Sequence, residues 1–453
     1  MIVMKFGGTS VEDASAMRRV MEIVKREKRR TPLVILSACS GVTNDLIRIA
    51  KTVHGGNDTE ARKILDGLVA RHHKIAGDLL SGQALEAVLK AIDAMFGEIA
   101  NYIQGVRLLG ELTPRTHDAF TSYGERLSSE IFASALNSAG VSAALVDARK
   151  VMITDDAYVN AVPQFNLIEK NAQDTIAPLI KKGAIVVSQG FIGSTANGVT
   201  TTIGRGGSDY TAAIFGAALG AEEIQIWTDV DGMMTTDPRV TPGARLIERL
   251  SFDEASELAY FGAKVLHPNT ILPAVKKNIP VRILNSRKPE VVGTLIVESE
   301  TASGGEIAKS IAFKKGITVI NVNSSRMLMA HGFLARLFTI FAERKKSIDV
   351  VSTSEVSVSV TIDDETGLQE ICEELEKIGE TRVQKNKAIV CIVGGGMKHT
   401  PGIAARIFGA LAKSNINVEM VSEGASEINL TMVVDGAAAD NAVRVLHKEF
   451  FGN

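Results

Sequence analysis

Cysteine and aromatic residues are scarce in this sequence. Its three cysteines, Cys39, Cys372 and Cys391, are widely spaced along 453 residues, so they form neither a metal-binding spacing nor an even set of disulfides. Aromatic residues make up 5% of the chain and hydrophobic residues 45%, a combination typical of a parallel sheet packed between helices. Free cysteines favour a reducing compartment, and we expect a cytoplasmic protein.

An excess of charge of one sign is also missing. Lysine and arginine together number 50, against 52 aspartates and glutamates. This balance argues against a basic surface for nucleic acid and against an acidic tail. No apolar run reaches about 18 residues, and residues 1–10 contain no apolar signal core, so we expect no membrane segment. A chain of this length is sufficient for two or three domains.

The first motif, KFGGTS at residues 5–10, lies between a predicted buried strand at residues 2–6 and a predicted helix at residues 11–29. It places Lys5 and two glycines at the N-terminus of a helix, where free backbone N–H groups and the positive end of the helix dipole suit a phosphate. The spacing is not that of a P-loop. For the glycines alone a tight turn remains the alternative, but an ammonium within a buried strand needs a partner.

The second glycine-rich motif, TTIGRGGSDYTAA at residues 201–213, leads into a predicted helix that ends at residue 219. Its glycines let a ligand approach the backbone closely, and Arg205 is a planar donor suited to a carboxylate or a phosphate. The alternative is that Ser208 and Asp209 only cap the helix. Two glycine-rich loops in one α/β pattern favour the ligand-binding interpretation.

Short apolar runs alternate with helical patterns up to about residue 297, which predicts a mainly parallel sheet covered by helices on both faces. The predicted strands after the first lie at residues 33–38, 143–146, 184–188, 224–228 and 281–284. Residues 57–105 have a helical pattern and form an excursion from the sheet. The sequence SFDE at residues 251–254 is a capping box that begins a further helix.

An internal repeat follows the polar segment ESETASGGE at residues 298–306. The sequence GFLARLFTIFA at residues 332–342 matches GIAARIFGALA at 402–412, and SIDVVS at 347–352 matches NVEMVS at 417–422. Each copy reads as a strand, a helix, two strands and a helix, which predicts a four-stranded sheet with two helices. The copies resemble a tandem pair of ACT domains; a duplicated structural module without a ligand is the alternative.

Five motifs, in this order, resemble those of the aspartate kinases, and the resemblance covers essentially the whole chain. They are KFGGTS (5–10), SYGERLS (122–128), GRGGSDYTAA (204–213), WTDVDGMMTTDPR (227–239) and FGAKVLHP (261–268). The resemblance implies an α/β fold in which an amino-acid-kinase-like, mainly parallel sheet sandwiched by helices is followed by two ferredoxin-like (βαββαβ) ACT regulatory domains. We expect the catalytic domain at residues 1–297 and the ACT domains at residues 307–385 and 386–453.

The implied reaction transfers the γ-phosphoryl group of ATP, which enters with Mg²⁺ as the co-substrate, to the side-chain carboxylate of L-aspartate. The product would be 4-phospho-L-aspartate, the first intermediate of lysine, threonine and methionine biosynthesis. Because the attacking carboxylate is already ionised, catalysis needs positioning and charge neutralisation rather than a general base. Two alternatives remain: another amino-acid kinase, acting on glutamate or N-acetylglutamate, and a catalytically silent amino-acid sensor that keeps the kinase fold.

The resemblance also implies roles for individual residues. Lys5 would contact the transferring phosphoryl group, and Asp209 would orient Lys5 or assist Mg²⁺; no residue is assigned to a separate metal site. Glu125 would bind the substrate α-ammonium and Arg205 its α-carboxylate. The other substrate-binding residues would be Thr43, Phe191 and Ser208. The nucleotide-binding residues would be Lys5, Gly7, Gly8, Ser10, Thr228, Asp229, Arg239 and Lys264.

In the first repeat, a further set matches positions that line the effector site of lysine-inhibited relatives. It consists of Met327, Phe333, Leu334, Ser347, Ile348, Asp349, Thr353 and Ser354. Asp349 can pair with an amino group, and we expect feedback inhibition by L-lysine. Ala330 replaces a serine common in that site, so threonine is the alternative inhibitor. The exposed edge and apolar face of an ACT sheet also predict a homodimer or a larger homo-oligomer.

Overall fold

A computed structural model describes residues 1–261, 268–298, 307–327, 331–398, 400–424 and 428–452. Contacts divide the chain into two compact units. The first comprises Met1–Met233 and Val265–Glu298, and the second comprises Met234–Lys264 and Ser299–Asn453. Residues 234–264 therefore group with the C-terminal part of the chain, whereas the sequence predicts a first domain that runs unbroken to residue 297.

The first unit is built on a mainly parallel sheet. The strands that precede residue 300 are β1 (Ile2–Phe6), β2 (Leu33–Leu36), β3 (Ala143–Val146), β4 (Ile153–Thr154), β5 (Ile185–Gln189), β6 (Ile192–Thr195), β7 (Thr200–Thr202), β8 (Glu223–Thr228), β9 (Arg249–Ser251), β10 (Val281–Asn285) and β11 (Thr294–Val297). Within this unit the strand order is β3-β5-β2-β1-β8-β10-β11. Strand β1 pairs in parallel with β2 and β8, and every residue of β1 is buried. A small separate sheet has the order β4-β6-β7.

Most helices before residue 300 belong to the first unit, whereas the helix at residues 252–261 belongs to the second. The helices that precede residue 300 are α1 (Ala14–Arg26), α2 (Val42–His54), α3 (Asp58–Leu79), α4 (Gly82–Leu109), α5 (Pro114–Ser138), α6 (Phe165–Thr175), α7 (Ala177–Lys181), α8 (Gly207–Leu219), α9 (Phe252–Phe261) and α10 (Pro268–Lys276). The Asp13 side chain caps α1 by accepting a hydrogen bond of 2.8 Å from the Ala16 N–H. Helices α3 and α4 form the predicted helical excursion.

The predicted capping box at the start of α9 is present in the second unit. The Ser251 side chain accepts a hydrogen bond of 3.1 Å from the Glu254 N–H, and Glu254 Oε2 accepts one of 2.8 Å from the Ser251 N–H. Glu254 Oε1 also accepts from the Gly395 N–H at 2.7 Å. The capping carboxylate therefore ties α9 to the second repeat.

The second unit contains a six-stranded antiparallel sheet. Its strands are β12 (Ser310–Asn323), β13 (Val351–Thr353), β14 (Ser357–Ile362), β15 (Glu380–Val393), β16 (Val418–Glu423) and β17 (Asn429–Asp435), in the order β13-β14-β12-β15-β17-β16. Its helices after residue 300 are α11 (Phe333–Glu343), α12 (Leu368–Glu376), α13 (Ile403–Lys413) and α14 (Ala439–Phe451). Two apolar cores lie beneath them, one for each repeat.

The two repeats share their long strands. Residues 318–323 of β12 pair with β14 in the first repeat, whereas residues 310–315 of the same strand pair with residues 388–393 of β15, which in turn pair with β17 in the second repeat. The second βαββαβ module thus takes its fourth strand from residues that precede the first module. The predicted boundary between residues 385 and 386 falls inside β15.

No helix in the described part of the chain has the length and apolar character that spanning a bilayer requires.

Candidate active site

A cavity of about 490 Å³ opens in the first unit where the parallel strands β1, β2 and β8 end. This is the edge at which open α/β sheets bind their ligands. The predicted site residues that line it are Lys5, Gly7, Gly8, Thr43, Glu125, Phe191, Arg205, Ser208, Asp209 and Thr228. The structure therefore brings residues from six separate segments of the sequence to one place.

Lys5 and Asp209 form an ion pair inside the cavity. Lys5 lies in β1, Asp209 lies in the first turn of α8, and 2.7 Å separates Lys5 Nζ from Asp209 Oδ1. Their side chains are only 11% and 14% exposed, so the aspartate is the partner that the ammonium of a buried strand requires. Helix α8 is capped by Gly206 in a left-handed conformation and by no side chain, so Ser208 and Asp209 do not cap it.

Glu125 is a buried carboxylate without a full set of partners. It lies on α5 at 4% exposure, and its Oε2 atom has no hydrogen-bond partner among the described residues. Burial raises the pKa of Glu125 from 4.5 to about 8, and a hydrogen bond from the Ala38 backbone opposes that rise. An unsatisfied carboxylate oxygen facing a cavity is suited to a ligand ammonium group.

Glycine at position 124 allows α5 to approach the loop after β2. A Cβ atom at Gly124 would lie 2.7 Å from the Cβ of Ala38, a distance that side chains do not tolerate. The absence of a side chain at position 124 therefore brings Glu125, the next residue, to the wall of the cavity.

Phe191 adopts a strained backbone conformation at the cavity wall. Its φ of +67° is unusual for an aromatic residue. The Phe191 N–H donates to Thr211 Oγ1 at 3.1 Å, and its carbonyl accepts from the Ile203 N–H at 3.1 Å. These contacts hold the ring against Gly207, where a Cβ atom would lie 2.8 Å from it.

Arg205 is presented to solvent at the mouth of the cavity. It lies between Gly204 and Gly206, which have φ values of +79° and +74°. Glycine adopts this left-handed region without steric cost. The resulting loop leaves the guanidinium free of any ion pair among the described residues, so it can receive a planar anion.

Three of the predicted nucleotide-binding residues do not line the cavity. Ser10 is buried, and its hydroxyl bonds to Ser286 Oγ at 2.7 Å. Asp229 is exposed and accepts from Thr228 Oγ1 at 3.3 Å. Arg239 belongs to the second unit, where it is 88% exposed and pairs with Asp237 at 2.6 Å. Lys264 lies outside the described residues.

The loop after β2 contributes more of the cavity than the sequence motifs predict. Ser37, Ser40, Gly41 and Asn44 line it together with the predicted Thr43. Helix α2 begins after Gly41, which has a φ of +82°, so Thr43 is not a helix cap. The run of small polar residues directly after a buried strand was the available signal for these four positions.

The predicted effector residues lie in the second unit, where Asp349 already has partners. Its side chain is 4% exposed, and 3.2 Å separates Asp349 Oδ2 from Lys314 Nζ. The Tyr260 hydroxyl donates to Asp349 Oδ1 at 2.9 Å, and Lys314 also pairs with Asp363 at 2.6 Å. Burial and the charge of Asp349 raise the pKa of Tyr260 to about 12.

The other predicted effector residues divide into two groups. Met327, Phe333 and Ile348 pack at the margin of the apolar core of the first repeat. Exposed residues of the set are Leu334, Ser347, Thr353 and Ser354. Ala330, which bears on the choice of inhibitor, lies outside the described residues.

Comparison with known proteins finds two family matches along the chain. Residues 1–285 match the model of the amino acid kinase family, and residues 390–450 match an ACT domain. The chloroplastic aspartokinase 1 of Arabidopsis thaliana is 38% identical over 99% of this chain and 80% of its own length. The chain belongs to the aspartokinase family. The lysine-sensitive aspartokinase 3 of Escherichia coli is 36% identical, with 99% of each chain covered.

Solved aspartokinase structures share the fold of the entire chain. The structure of E. coli aspartokinase III in complex with aspartate and ADP, called the R-state, has a TM-score of 0.84 at 36% identity and covers 100% of both chains. The structure of the same enzyme with lysine and aspartate, called the T-state, has a TM-score of 0.84 at 37% identity. These matches confirm the predicted fold class and the predicted family.

Proposed function

We propose that this aspartokinase-family protein transfers the γ-phosphoryl group of ATP to the side-chain carboxylate of L-aspartate. The observation that carries the proposal is buried Glu125, which has a carboxylate oxygen without a partner among the described residues and lines the same cavity as Lys5 and Arg205. That carboxylate suits a substrate with a free α-ammonium group, and it disfavours N-acetylglutamate, whose nitrogen carries no charge. The E. coli relative solved with aspartate and ADP supports the same pair of substrates.

Each group in the cavity has a defined task in this reaction. Glu125 binds the α-ammonium and Arg205 binds the α-carboxylate, so the substrate is held at one end and its side chain points toward Lys5. Lys5 neutralises the charge that develops on the transferring phosphoryl group, and Asp209 keeps the lysine in place. Thr43, Phe191 and Ser208 complete the wall around the substrate.

ATP would enter as its Mg²⁺ complex from the side of the two glycine-rich loops. Backbone N–H groups near Gly7 and Gly8 suit its phosphates, with Thr228 beside them. Ser10 acts indirectly, through its bond to Ser286. Asp229, Arg239 and Lys264 remain proposed nucleotide contacts that rest on the family resemblance.

A hydroxylamine trap for acyl phosphate tests the reaction directly. The purified chain is incubated with MgATP and either L-aspartate, L-glutamate or N-acetyl-L-glutamate. We expect the hydroxamate with aspartate and little product with the other two. Turnover of glutamate or N-acetylglutamate without turnover of aspartate would overturn the substrate assignment, and binding without any turnover would indicate a sensor.

Feedback inhibition by L-lysine is the regulation that we propose for the second unit. The E. coli relative solved with lysine and aspartate supports this choice. Asp349 would receive an amino group of the effector, but here it pairs with Lys314. An incoming ammonium must therefore take the place of the Lys314 ammonium, which keeps Asp363 as its other partner. Threonine, which brings only its α-ammonium, is the alternative effector.

We further propose a homodimer or a larger homo-oligomer that forms through the second unit. Strands β13 and β16 are the two ends of its sheet, and such edges pair readily with another copy. A cytoplasmic location fits the free cysteines Cys39, Cys372 and Cys391.

A further inference from the structure

A guanidinium group outside the cavity contacts both loops that form its phosphate-facing wall. Arg71 lies on α3, in the helical excursion, and no motif contains it. Its Nη1 donates to the Ser40 carbonyl at 2.8 Å, and its Nη2 donates to the Glu12 carbonyl at 2.9 Å. Ser40 belongs to the loop after β2, and Glu12 follows the glycine loop after β1.

The two loops contact each other at the point that Arg71 spans. The Ser40 N–H donates to the Gly8 carbonyl at 3.1 Å, and a Cβ atom at Gly8 would lie 2.9 Å from the Ala38 carbonyl oxygen. Both loops line the cavity. A shift of either loop would therefore move backbone groups that face both substrates.

The contact to the Ser40 carbonyl also orients a donor. In a trans peptide the C=O and the following N–H point in opposite directions, so the Gly41 N–H points away from the guanidinium. Gly41 lines the cavity. Arg71 reaches the two carbonyls from two separate nitrogens in a fixed plane, whereas the three N–H groups of a lysine ammonium all originate from one nitrogen and cannot reproduce this spacing.

The charge of Arg71 acts on the cavity as well. Among the described residues Arg71 forms no ion pair. Burial raises the pKa of the cavity-lining Cys39 thiol to about 12, and Arg71 is the largest influence that opposes this rise. The guanidinium therefore adds positive potential where phosphate oxygens would lie.

We propose that Arg71 is a positioning residue for phosphoryl transfer. Its two hydrogen bonds hold the glycine loop and the loop after β2 in one fixed arrangement. This role rests on the proposed function only in that ATP and aspartate are taken as the substrates of the assay. It assigns Arg71 no contact with either substrate.

The test compares the variants Arg71→Met, Arg71→Lys and Arg71→Ala with the control Lys74→Met. Lys74 lies one turn further along α3, where it forms an exposed ion pair with Asp78. We expect Arg71→Met to lower kcat by roughly 10- to 100-fold, as small displacements of reacting groups do. Arg71→Lys should recover only part of the rate, and Lys74→Met should match the unaltered protein. Millimolar guanidinium should raise the rate of Arg71→Ala, whereas equal methylammonium should not.

Two further measurements separate positioning from folding and from the choice of substrate. Circular dichroism melting should show that Arg71→Ala stays folded at the assay temperature. Calorimetry with MgADP needs no turnover, and it should show weaker binding for Arg71→Met than for Lys74→Met even if aspartate is the wrong acceptor. Equal MgADP affinity and equal rates in these two variants, or a lost rate that guanidinium does not restore in a folded protein, would overturn the proposal.

Discussion

Lys5 Nζ lies 2.7 Å from Asp209 Oδ1 in the cavity, and this ion pair determines the expected effect of removing the lysine. Lys5→Ala takes away the charge that stabilises the transferring phosphoryl group and leaves Asp209 as an uncompensated anion there. We expect kcat to fall by roughly 10²-fold or more. Steady-state kinetics measure this, with Lys25→Ala as the control because Lys25 forms an exposed pair with Glu22. A fall of less than threefold would place the phosphoryl group elsewhere.

Glu125 predicts a pH dependence of aspartate binding. Its pKa of about 8 means that the carboxyl group of the free protein is mostly protonated below that pH, whereas a substrate ammonium binds the ionised form. The aspartate KM should therefore fall as the pH rises toward 8, by up to about tenfold for each pH unit. The KM for ATP should change much less, and in Glu125→Gln the aspartate KM should be high and independent of pH. A pH-independent KM in the unaltered protein would contradict this role.

As the pH rises, the same carboxyl group favours aspartate binding but lowers the free energy of unfolding. Between pH 4.5 and about 8 the folded protein retains a proton on Glu125 that the unfolded chain has lost, so its contribution to stability falls as the pH rises through this range. Glu125→Gln should consequently melt at a higher temperature than the unaltered protein at pH 8. Thermal melts at pH 6 and pH 8 measure the difference.

At this scale the sequence predicts residues that stand in motifs and misses those that act through the backbone. Thr43, Glu125 and Arg205 belong to recognisable segments, and the structure brings all three to one cavity. Among the described residues, Arg71 donates hydrogen bonds only to carbonyl oxygens. Every residue type has a carbonyl oxygen, so no pattern of side chains predicts this role. Ser10 stands in a motif, yet its hydroxyl turns inward to Ser286, a partner far away in sequence.

At the scale of an element, the close approach of α5 to the loop after β2 depends on Gly124. A Cβ atom there would press on Ala38, so Gly124→Ala should move α5 outward, destabilise the protein and raise the aspartate KM through Glu125. The control is Gly97→Ala, at an exposed position of α4 where an added Cβ atom would meet nothing beyond its own helix within 4 Å. This change should raise the free energy of unfolding by roughly 0.5–1 kcal/mol. Chemical denaturation and KM measure both. Equal changes in stability and in aspartate KM for the two variants would show that α5 can accommodate a side chain at position 124.

The contact between Lys314 and Asp349 predicts a change in effector sensitivity. Lys314→Met removes the cation with which an effector ammonium competes, so half-maximal inhibition should occur at a lower concentration of L-lysine. Lys315→Met is the matched control, because the neighbouring lysine pairs with Asp440 in the second repeat instead. Inhibition curves measure the shift, and Asp349→Ala should remove the inhibition. An unchanged curve for Lys314→Met alongside a lost response in Asp349→Ala would reject the competition and keep the site.

The periodicity of the sequence predicts most elements but not their pairing between repeats. Six strands of the first unit lie at the predicted apolar runs, namely β1, β2, β3, β5, β8 and β10, whereas the short strands β4, β6 and β7 and the strand β11 were not predicted. The capping box starts α9 as expected. The repeat shows that two similar modules exist. It does not show which copy supplies each fourth strand, because both copies offer the same pattern of apolar residues, and the choice depends on contacts between distant segments.

At the scale of the whole molecule, the sheet edges in the second unit predict self-association. We expect light scattering to give at least a dimer at micromolar concentration. Val421 is 38% exposed on edge strand β16, and Val421→Asp should weaken the association because a charge opposes strand pairing there. Val162→Asp, at an exposed valine of the first unit, is the control. A monomer for the unaltered protein would contradict this prediction.

The strand shared between the repeats also constrains the order in which the chain can fold during synthesis. Residues 310–315 leave the ribosome early, but the sheet neighbour that they need, residues 388–393, follows only after the whole first repeat. The first module can close as soon as residues 380–384 are available. The second module, whose first-synthesised strand is residues 310–315, is complete only after α14 has left the ribosome. Because that strand offers its backbone to other chains until residues 388–393 have been made, slow translation of the first repeat should lower the yield of native protein more than slow translation of the second.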